Sequence, residues 1–145
     1  MGAAQDKSWV IAQGENNGFT MLLRARTIVP PGINSLEYTH LFTVTWTYKD
    51  MSGEGIPTGK ENLQMGELED AADSLIEGKC GYLTHILTYN GTRKWNWYAK
   101  DKNKFLNAID SYLKRKPNLP IKIVEQEDPN WDEWKTFLSH LRVRK

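Results

Sequence analysis

The sequence is short of cysteine, of long apolar runs and of any excess of one charge. Its single cysteine, Cys80, excludes an internal disulfide and is typical of a reducing compartment. No run approaches the roughly 18 apolar residues that a membrane span needs, and residues 1–9 lack the apolar core of a signal peptide. These absences predict a cytoplasmic protein that does not associate with a membrane.

Charge and aromatic content differ sharply in what they indicate. The chain has 19 basic and 18 acidic residues, so its formal net charge is +1 and no overall field attracts nucleic acid or a membrane surface. Aromatic residues, in contrast, are plentiful, with six tryptophans among 145 residues. Because large rings either fill cores or anchor interfaces, their placement decides how the sequence is interpreted.

The chain length fits one domain, which we assign to residues 1–145. Apolar residues alternate with other residues over 19–29, a period typical of a half-buried strand. Together with a turn signal before it, this pattern predicts an N-terminal β-hairpin over about residues 9–29, with Arg24 and Arg26 on the face opposite the apolar side chains.

The rest of the chain predicts an α+β fold. Over about residues 37–126 the periodicities indicate strand, helix, strand, strand, helix and strand, which is the βαββαβ order of a ferredoxin-like core. Its first strand, 38–48, alternates aromatic side chains with threonines. An amphipathic helix over about 129–141 follows. The predicted architecture is therefore a ferredoxin-like core with an N-terminal β-hairpin and a C-terminal amphipathic helix.

Asn90-Gly91 is the strongest turn signal in the chain. Both residues accept the positive φ of a type I′ turn, so the flanking segments 82–89 and 92–99 are predicted to form a second hairpin. A turn of two residues also fixes the register between its strands, and with it the face on which each side chain lies.

Alternation along the second strand places Arg93, Trp95 and Trp97 on one face and Lys94 and Tyr98 on the other. A basic residue followed by aromatic residues at alternate positions is the pattern with which RNA-recognition modules stack bases. Arg93, Lys94, Trp95 and Trp97 are therefore the candidate binding residues. The competing explanation, which we favour, is that the C-terminal helix buries its own apolar stripe on this face and covers Trp95 and Trp97.

Asp128-Pro129 marks the start of the C-terminal helix. Asp128 is predicted to be the N-cap and Pro129 the first helical residue, where a missing N–H costs nothing. Trp131 begins the apolar stripe of this helix. Glu125 and Glu127 lie close enough to Asp128 to suggest a cation site, but a capping role for Asp128 and solvated strand-end charges explain the cluster better.

Catalytic and metal-binding constellations are missing from the sequence. His40, His85 and His140 lack the spacing of a metal site, and Cys80 and His85 fall on opposite faces of a strand, so they cannot form a local nucleophile–base pair. No glycine-rich phosphate loop is present. We therefore predict that the protein is not an enzyme and that it holds no metal and no cofactor.

Two segments resemble a known family. They are a stretch with Thr88, Gly91, Arg93, Trp95, Trp97, Tyr98 and Ala99 and a closing segment with Pro120, Asp128, Pro129 and Trp131. These motifs are similar to those of the bacterial family catalogued as domain of unknown function 695, and the resemblance covers most of the chain from about Tyr38. That family has no established activity. Some members are joined to a domain similar to the regulator of ribonuclease E activity B, which resembles a ferredoxin-like protein that binds and inhibits an enzyme.

The resemblance and the composition together imply a non-catalytic regulatory or protein-binding module whose partner is another protein. Analogy at the level of the fold is the warrant for this expectation, and the surplus of aromatic residues is able to supply interface anchors. The alternative is a single-stranded nucleic-acid-binding domain that uses the aromatic and basic hairpin 92–98. Edge strands, including those of the N-terminal hairpin, could also pair between two copies and form a homodimer.

Overall fold

The computed structural model of the protein describes residues 8–143, so most of the segment 1–9, for which no signal peptide was predicted, lies outside this range. The described elements, in chain order, are β1 (Trp9–Asn16), β2 (Phe19–Arg26), β3 (His40–Thr47), α1 (Gly59–Leu75), β4 (Gly81–Tyr89), β5 (Thr92–Ala99), α2 (Lys102–Leu113), β6 (Ile121–Glu127) and α3 (Asp132–Val143). A short 3-10 turn, Ser35–Glu37, precedes β3.

All six strands belong to one antiparallel sheet, in the order β1-β2-β4-β5-β3-β6. The predicted α+β class is confirmed. The sheet as a whole does not match the predicted four-stranded ferredoxin-like sheet. The physical reason is that β2 pairs with β4, so the N-terminal hairpin extends the sheet to six strands and does not precede a separate core.

The turn between β4 and β5 forms as predicted. Asn90 has a φ of 39° and Gly91 a φ of 98°, the positive values that a type I′ turn needs at both positions. The register is continuous beside the turn, but a β-bulge at Thr84 shifts it farther along, so that Leu83 pairs with Trp97. A bulge adds one residue to one strand and reverses the faces of the residues beyond it.

Helices α1 and α2 cover one face of the sheet. Val44 on β3 pairs with Trp95 on β5, and Phe42 pairs with Trp97, so the aromatic stripes of the two strands share this face. The ring of Phe105 on α2 stacks on Phe42 with the centroids 4.2 Å apart. The buried residues of this core include Phe42, Val44, Trp46, Met65, Leu68, Ala72, Ile76, Ile86, Trp95, Trp97, Phe105 and Ile109.

Helix α3 covers part of the opposite face. Its core is smaller and is formed by the buried residues Ala25, Leu41, Tyr98, Trp131, Trp134 and Leu138. The rings of Tyr98 and Trp131 stack with their centroids 4.3 Å apart. None of the helices in residues 8–143 has the length and apolarity needed to cross a bilayer.

The start of α3 differs from the prediction. The helix begins at Asp132, because Pro129 and Asn130 form a turn and Trp131 has a positive φ of 59°, which is not helical. Asp128 nevertheless caps the helix from a distance. Its two carboxylate oxygens accept the backbone N–H groups of Asp132 and Glu133, each at 2.9 Å. The side chain of Asp128 therefore caps the helix, but the predictions that Asp128 is the N-cap residue and Pro129 the first helical residue were wrong.

Candidate functional site

The four candidate binding residues do not come together at one surface. Trp95 and Trp97 are 0% and 1% exposed, and they lie beneath α1 and α2. The prediction that the C-terminal helix covers them was wrong, because α3 packs on the opposite face, over Tyr98. Neither tryptophan ring is available to stack a nucleic-acid base in this arrangement.

Arg93 and Lys94 lie on opposite faces of β5. Arg93 is half-buried on the face of α1 and α2, where its Nε donates to Thr88 Oγ1 at 2.7 Å and its guanidinium carbon lies 6.0 Å from the centroid of the Trp95 ring. Burial and the nearby charge of Arg24 lower the pKa of Arg93 from its ordinary value. Lys94 is exposed. The predicted basic pair is thus divided between two surfaces.

The residues predicted to have structural roles are well connected around Tyr98. The Tyr98 hydroxyl donates to Asp128 Oδ2 at 2.6 Å, and Trp131 Nε1 donates to the backbone oxygen of Tyr38 at 2.9 Å. Burial raises the pKa of Tyr98, as do the hydrogen bond to Asp128 and its charge. Burial acts to raise the pKa of Asp128 too, but Tyr98 and the backbone N–H groups of the helix outweigh it and lower that pKa.

A cavity of about 490 Å³ lies where the N-terminal hairpin meets α1, and we call it the hairpin groove. The residues that line it include two arginines from β2, four acidic residues from α1 and the turn after it, and two apolar residues from β1: Trp9, Ile11, Arg24, Arg26, Glu69, Asp70, Asp73 and Glu77. The groove therefore has two more carboxylates than guanidinium groups among these residues.

Arg24 and Glu69 form the first of two ion pairs that join β2 to α1 and to the turn after it. Two guanidinium nitrogens of Arg24 each lie 2.8 Å from a carboxylate oxygen of Glu69, which is a bidentate pair. Trp95 Nε1 also donates to Glu69, at 3.0 Å. Burial acts to raise the pKa of Glu69, but Arg24 and Trp95 outweigh it and hold that pKa below its usual range.

Arg26 and Glu77 form the second pair. The Arg26 guanidinium donates to the Glu77 carboxylate and, at 2.8 Å, to the backbone oxygen of Leu83. It also lies 5.0 Å from the ring centroid of Trp9 and 5.8 Å from that of Tyr82. Burial raises the pKa of Glu77 despite the N–H of Leu83 and the charge of Arg26.

Asp70 and Asp73 stand at the rim of the hairpin groove without such partners. Both are exposed, and their spacing of three residues puts them on the same side of α1. Neither forms an ion pair with another residue in the range 8–143. Because each arginine in the groove already has a glutamate, the rim retains negative charge that no cation among residues 8–143 pairs with.

Strand β1 forms the open edge of the sheet beside the hairpin groove. Within the described part of the chain it pairs with β2 alone. Its pairing sets Trp9 opposite Arg26 and Ile11 opposite Arg24, so all four side chains face α1. Ile11 is 77% exposed. Glu15 is the single charged residue of β1, which contains no lysine and no proline, the residues that usually protect an edge strand.

His85 and Cys80, two groups with catalytic potential, are buried. His85 Nδ1 lies 2.9 Å from Thr84 Oγ1, and burial lowers the pKa of His85 to about 4, although the charge of Asp128 acts in the opposite direction. Burial also raises the pKa of the Cys80 thiol. No cluster of three or more potential metal ligands occurs among residues 8–143.

Sequence reasoning missed the hairpin groove. It placed Arg24 and Arg26 on the hairpin face opposite the apolar side chains and assigned them no partner. In the structure β2 is an interior strand, so these side chains face α1. The signal that was present is the pair of arginines at alternate strand positions, which must lie on one face.

Comparison with known proteins gives one family. A family model described as a family of unknown function (DUF695) matches residues 7–139. The match includes β1 and β2, whereas the motifs noted in the sequence began near Tyr38. A search of curated protein sequences gives no significant match.

Proposed function

Because this chain belongs to the family of unknown function DUF695, we propose a function from its own surface: a non-catalytic regulatory or protein-binding module that binds another protein at the edge of β1. The observation that carries this proposal is the open, almost uncharged edge of β1 beside the hairpin groove. An exposed sheet edge offers backbone donors and acceptors to an incoming strand, and pockets beside it select the side chains of that strand.

The opposite edge of the sheet supports this choice by contrast. Strand β6 has the charged residues Lys122, Glu125 and Glu127 along its seven residues. Charges of this kind discourage strand pairing at an edge. Strand β1 has Glu15 alone and exposes Ile11. A protein that protects one edge and leaves the other unprotected is suited to pairing at the unprotected one.

We also propose that the module has no catalytic activity, no cofactor and a cytoplasmic location. The burial of His85 and Cys80, each with a pKa shifted toward its neutral form, supports the first point, because neither is poised for proton transfer or nucleophilic attack near neutral pH. The single cysteine, which is free and buried, supports the location.

The β3–β6 segment supports a finer description of the fold. Its elements follow the order βαββαβ, and its strands lie in the order β4-β5-β3-β6. We propose that this segment is a ferredoxin-like unit to which the N-terminal hairpin and α3 have been added. In this description the added hairpin supplies the binding edge.

The nucleic-acid alternative has little support. Its stacking surface depended on Trp95 and Trp97, which are buried, and its basic residues Arg93 and Lys94 lie on opposite faces. No observation on the remaining surface of residues 8–143 favours this function over protein binding.

Affinity capture from cells that express the protein natively tests the proposal. The bait is the wild-type chain, an Ile11→Lys variant of the β1 edge, or a Val124→Lys variant of the β6 edge as a matched control, since Val124 is also exposed, at 48%. We expect wild type and Val124→Lys to enrich the same protein and Ile11→Lys to lose it. Failure of wild type to enrich any protein, or full retention by Ile11→Lys, would contradict the proposal. Circular dichroism should confirm that each bait is folded.

A further inference from the structure

We infer that the partner segment at β1 is an extended basic peptide, with lysine or arginine side chains that enter the hairpin groove. This inference rests on the proposed function and specifies the chemistry of the partner. It is carried by three observations that meet in one place: an open strand edge, an apolar floor beside it and an acidic rim without an ion-pair partner in the described part of the chain.

The strand edge determines where the side chains of the peptide lie. Successive side chains of a strand point to opposite faces of the sheet, so every second residue of a peptide paired with β1 faces α1. There it becomes the cross-strand neighbour of Trp9 or Ile11. These are the two β1 residues that line the hairpin groove.

The charge of the groove selects the type of side chain. Arg24 and Arg26 are neutralised by Glu69 and Glu77, which leaves the exposed carboxylates of Asp70 and Asp73. A lysine or arginine has a long aliphatic stem that covers apolar surface and a charged head that pairs with a carboxylate. Such a side chain matches both the Trp9–Ile11 floor and the acidic rim, whereas an acidic side chain would be repelled.

Charge also argues against a second copy of the chain as the occupant. Two β1 strands paired antiparallel about a twofold axis would form one continuous sheet, with both α1 helices on the same face. That arrangement directs the acidic rims, Asp70 and Asp73 of each copy, toward the same junction. Like charges brought together across a strand pair are unfavourable, so the surface fits a basic partner better than itself.

Fluorescence anisotropy with synthetic peptides tests the inference. The probe is a fluorescein-labelled peptide of alternating lysine and valine, eight residues long to match β1. An acidic counterpart of alternating glutamate and valine tests charge, and a basic peptide with N-methylated alternate amides tests backbone pairing. We expect the unmodified basic peptide to bind about tenfold more tightly than either control, with a salt dependence that the acidic peptide lacks.

A double variant, Asp70→Asn with Asp73→Asn, removes the rim charge with little change in shape. Since exposed ion pairs contribute little individually, we expect the loss of both carboxylates to lower the affinity for the basic peptide about fivefold. The matched control removes two exposed carboxylates outside the groove, through Glu67→Gln with Asp110→Asn, and should bind as wild type does.

Several outcomes would overturn the inference. Equal binding of the acidic or the N-methylated peptide would do so, as would an affinity unchanged by the loss of Asp70 and Asp73. A dimer in sedimentation that Ile11→Lys abolishes would show that a second copy takes the edge. If the capture experiment yields a partner that depends on Ile11 while the peptides show no preference for basic residues, the inference fails and the proposed function stands. If neither gives binding, both fail.

Discussion

The two faces of the sheet are closed by helices in different ways. Beneath α1 and α2 the core is formed by stacked and interleaved rings, and carboxylates such as Glu69 meet it at the periphery. Beneath α3 a carboxylate lies inside the structure, since Asp128 is 7% exposed and accepts hydrogen bonds from Tyr98 and from the helix backbone. The first face is held mainly by shape, whereas the second also depends on directed polar contacts.

The polar contacts on the α3 face have a physical reason. The chain enters α3 through Trp131, whose positive φ is uncommon for a residue with a large side chain. The Trp131 and Trp134 rings are each oriented by an Nε1–H that donates to a backbone oxygen, of Tyr38 at 2.9 Å and of Arg26 at 2.8 Å. These directed hydrogen bonds fix the position of α3 on the sheet more narrowly than apolar contacts alone would.

The largest expected effect lies on the α1–α2 face. Phe105→Ala removes a fully buried ring that stacks on Phe42. The free-energy cost of the cavity left behind adds to the lost transfer free energy of the ring. We expect a decrease of about 3–5 kcal/mol in the free energy of unfolding, measured with urea at neutral pH. Phe105→Leu, the control, should lose clearly less because it refills most of the space. A loss below about 1 kcal/mol for the alanine variant would contradict a face held by shape.

The next effect is a pH dependence of the free energy of unfolding that arises on the α3 face. His85 lies on the α3 side, and burial lowers its pKa from 6.5 to about 4. Between these values the unfolded chain binds a proton that the folded chain does not, so the stabilisation is complete above pH 6.5 and is lost as the pH falls toward 4. At about 1.4 kcal/mol per pKa unit, the loss is about 3 kcal/mol.

Urea unfolding of wild type and His85→Asn from pH 7 to pH 4 measures this term. The variant keeps a polar group next to Thr84 but does not titrate, so its stability should depend less on pH over the interval. Parallel pH profiles for the two proteins, or an NMR titration that gives His85 a pKa near 6.5, would show that His85 is not the group responsible.

A feature of the fold can be predicted from the sequence when the residues that determine it are close together in the chain. The β4–β5 hairpin was predicted because Asn90 and Gly91 determine their turn locally. Which face α3 covers is set by a non-local register, the pairing of Val44 with Trp95, which brings two aromatic stripes to the side of α1 and α2. Each stripe was visible in its own strand. That the two share a face, and that Thr84 forms a bulge, has no local signature.

The candidate site was hidden for the same reason. If β2 belonged to an isolated hairpin, Arg24 and Arg26 would be expected to face solvent. Their position facing α1 follows from the pairing of β2 with β4, and their partners Glu69 and Glu77 come from α1 and the turn after it, more than 40 residues farther along the chain. A strand and a helix that distant in sequence can be matched by charge only once the sheet order is known.

The smallest effect tests the buried carboxylate of the α3 face. Tyr98→Phe removes the hydrogen bond from the tyrosine hydroxyl to Asp128. Asp128 still accepts hydrogen bonds from the backbone N–H groups of Asp132 and Glu133. We expect a loss of about 1.5 kcal/mol in the free energy of unfolding at neutral pH, the lower end for a bond to a charged group. The pKa of Asp128 should rise toward its ordinary value of 3.8 with the loss of one donor, so acid below that pH should cost the variant less stability than wild type and the difference between the two should narrow.

Tyr82→Phe is the matched control for this variant, because the Tyr82 ring contacts Tyr38 on the same face and is half-exposed. Its loss should stay within about 0.5 kcal/mol. If both variants lose the same amount, the Tyr98 hydroxyl has no particular role. The α3 face would then be held by the stacking of Tyr98 on Trp131 alone, and the difference between the two faces would be one of size and not of kind.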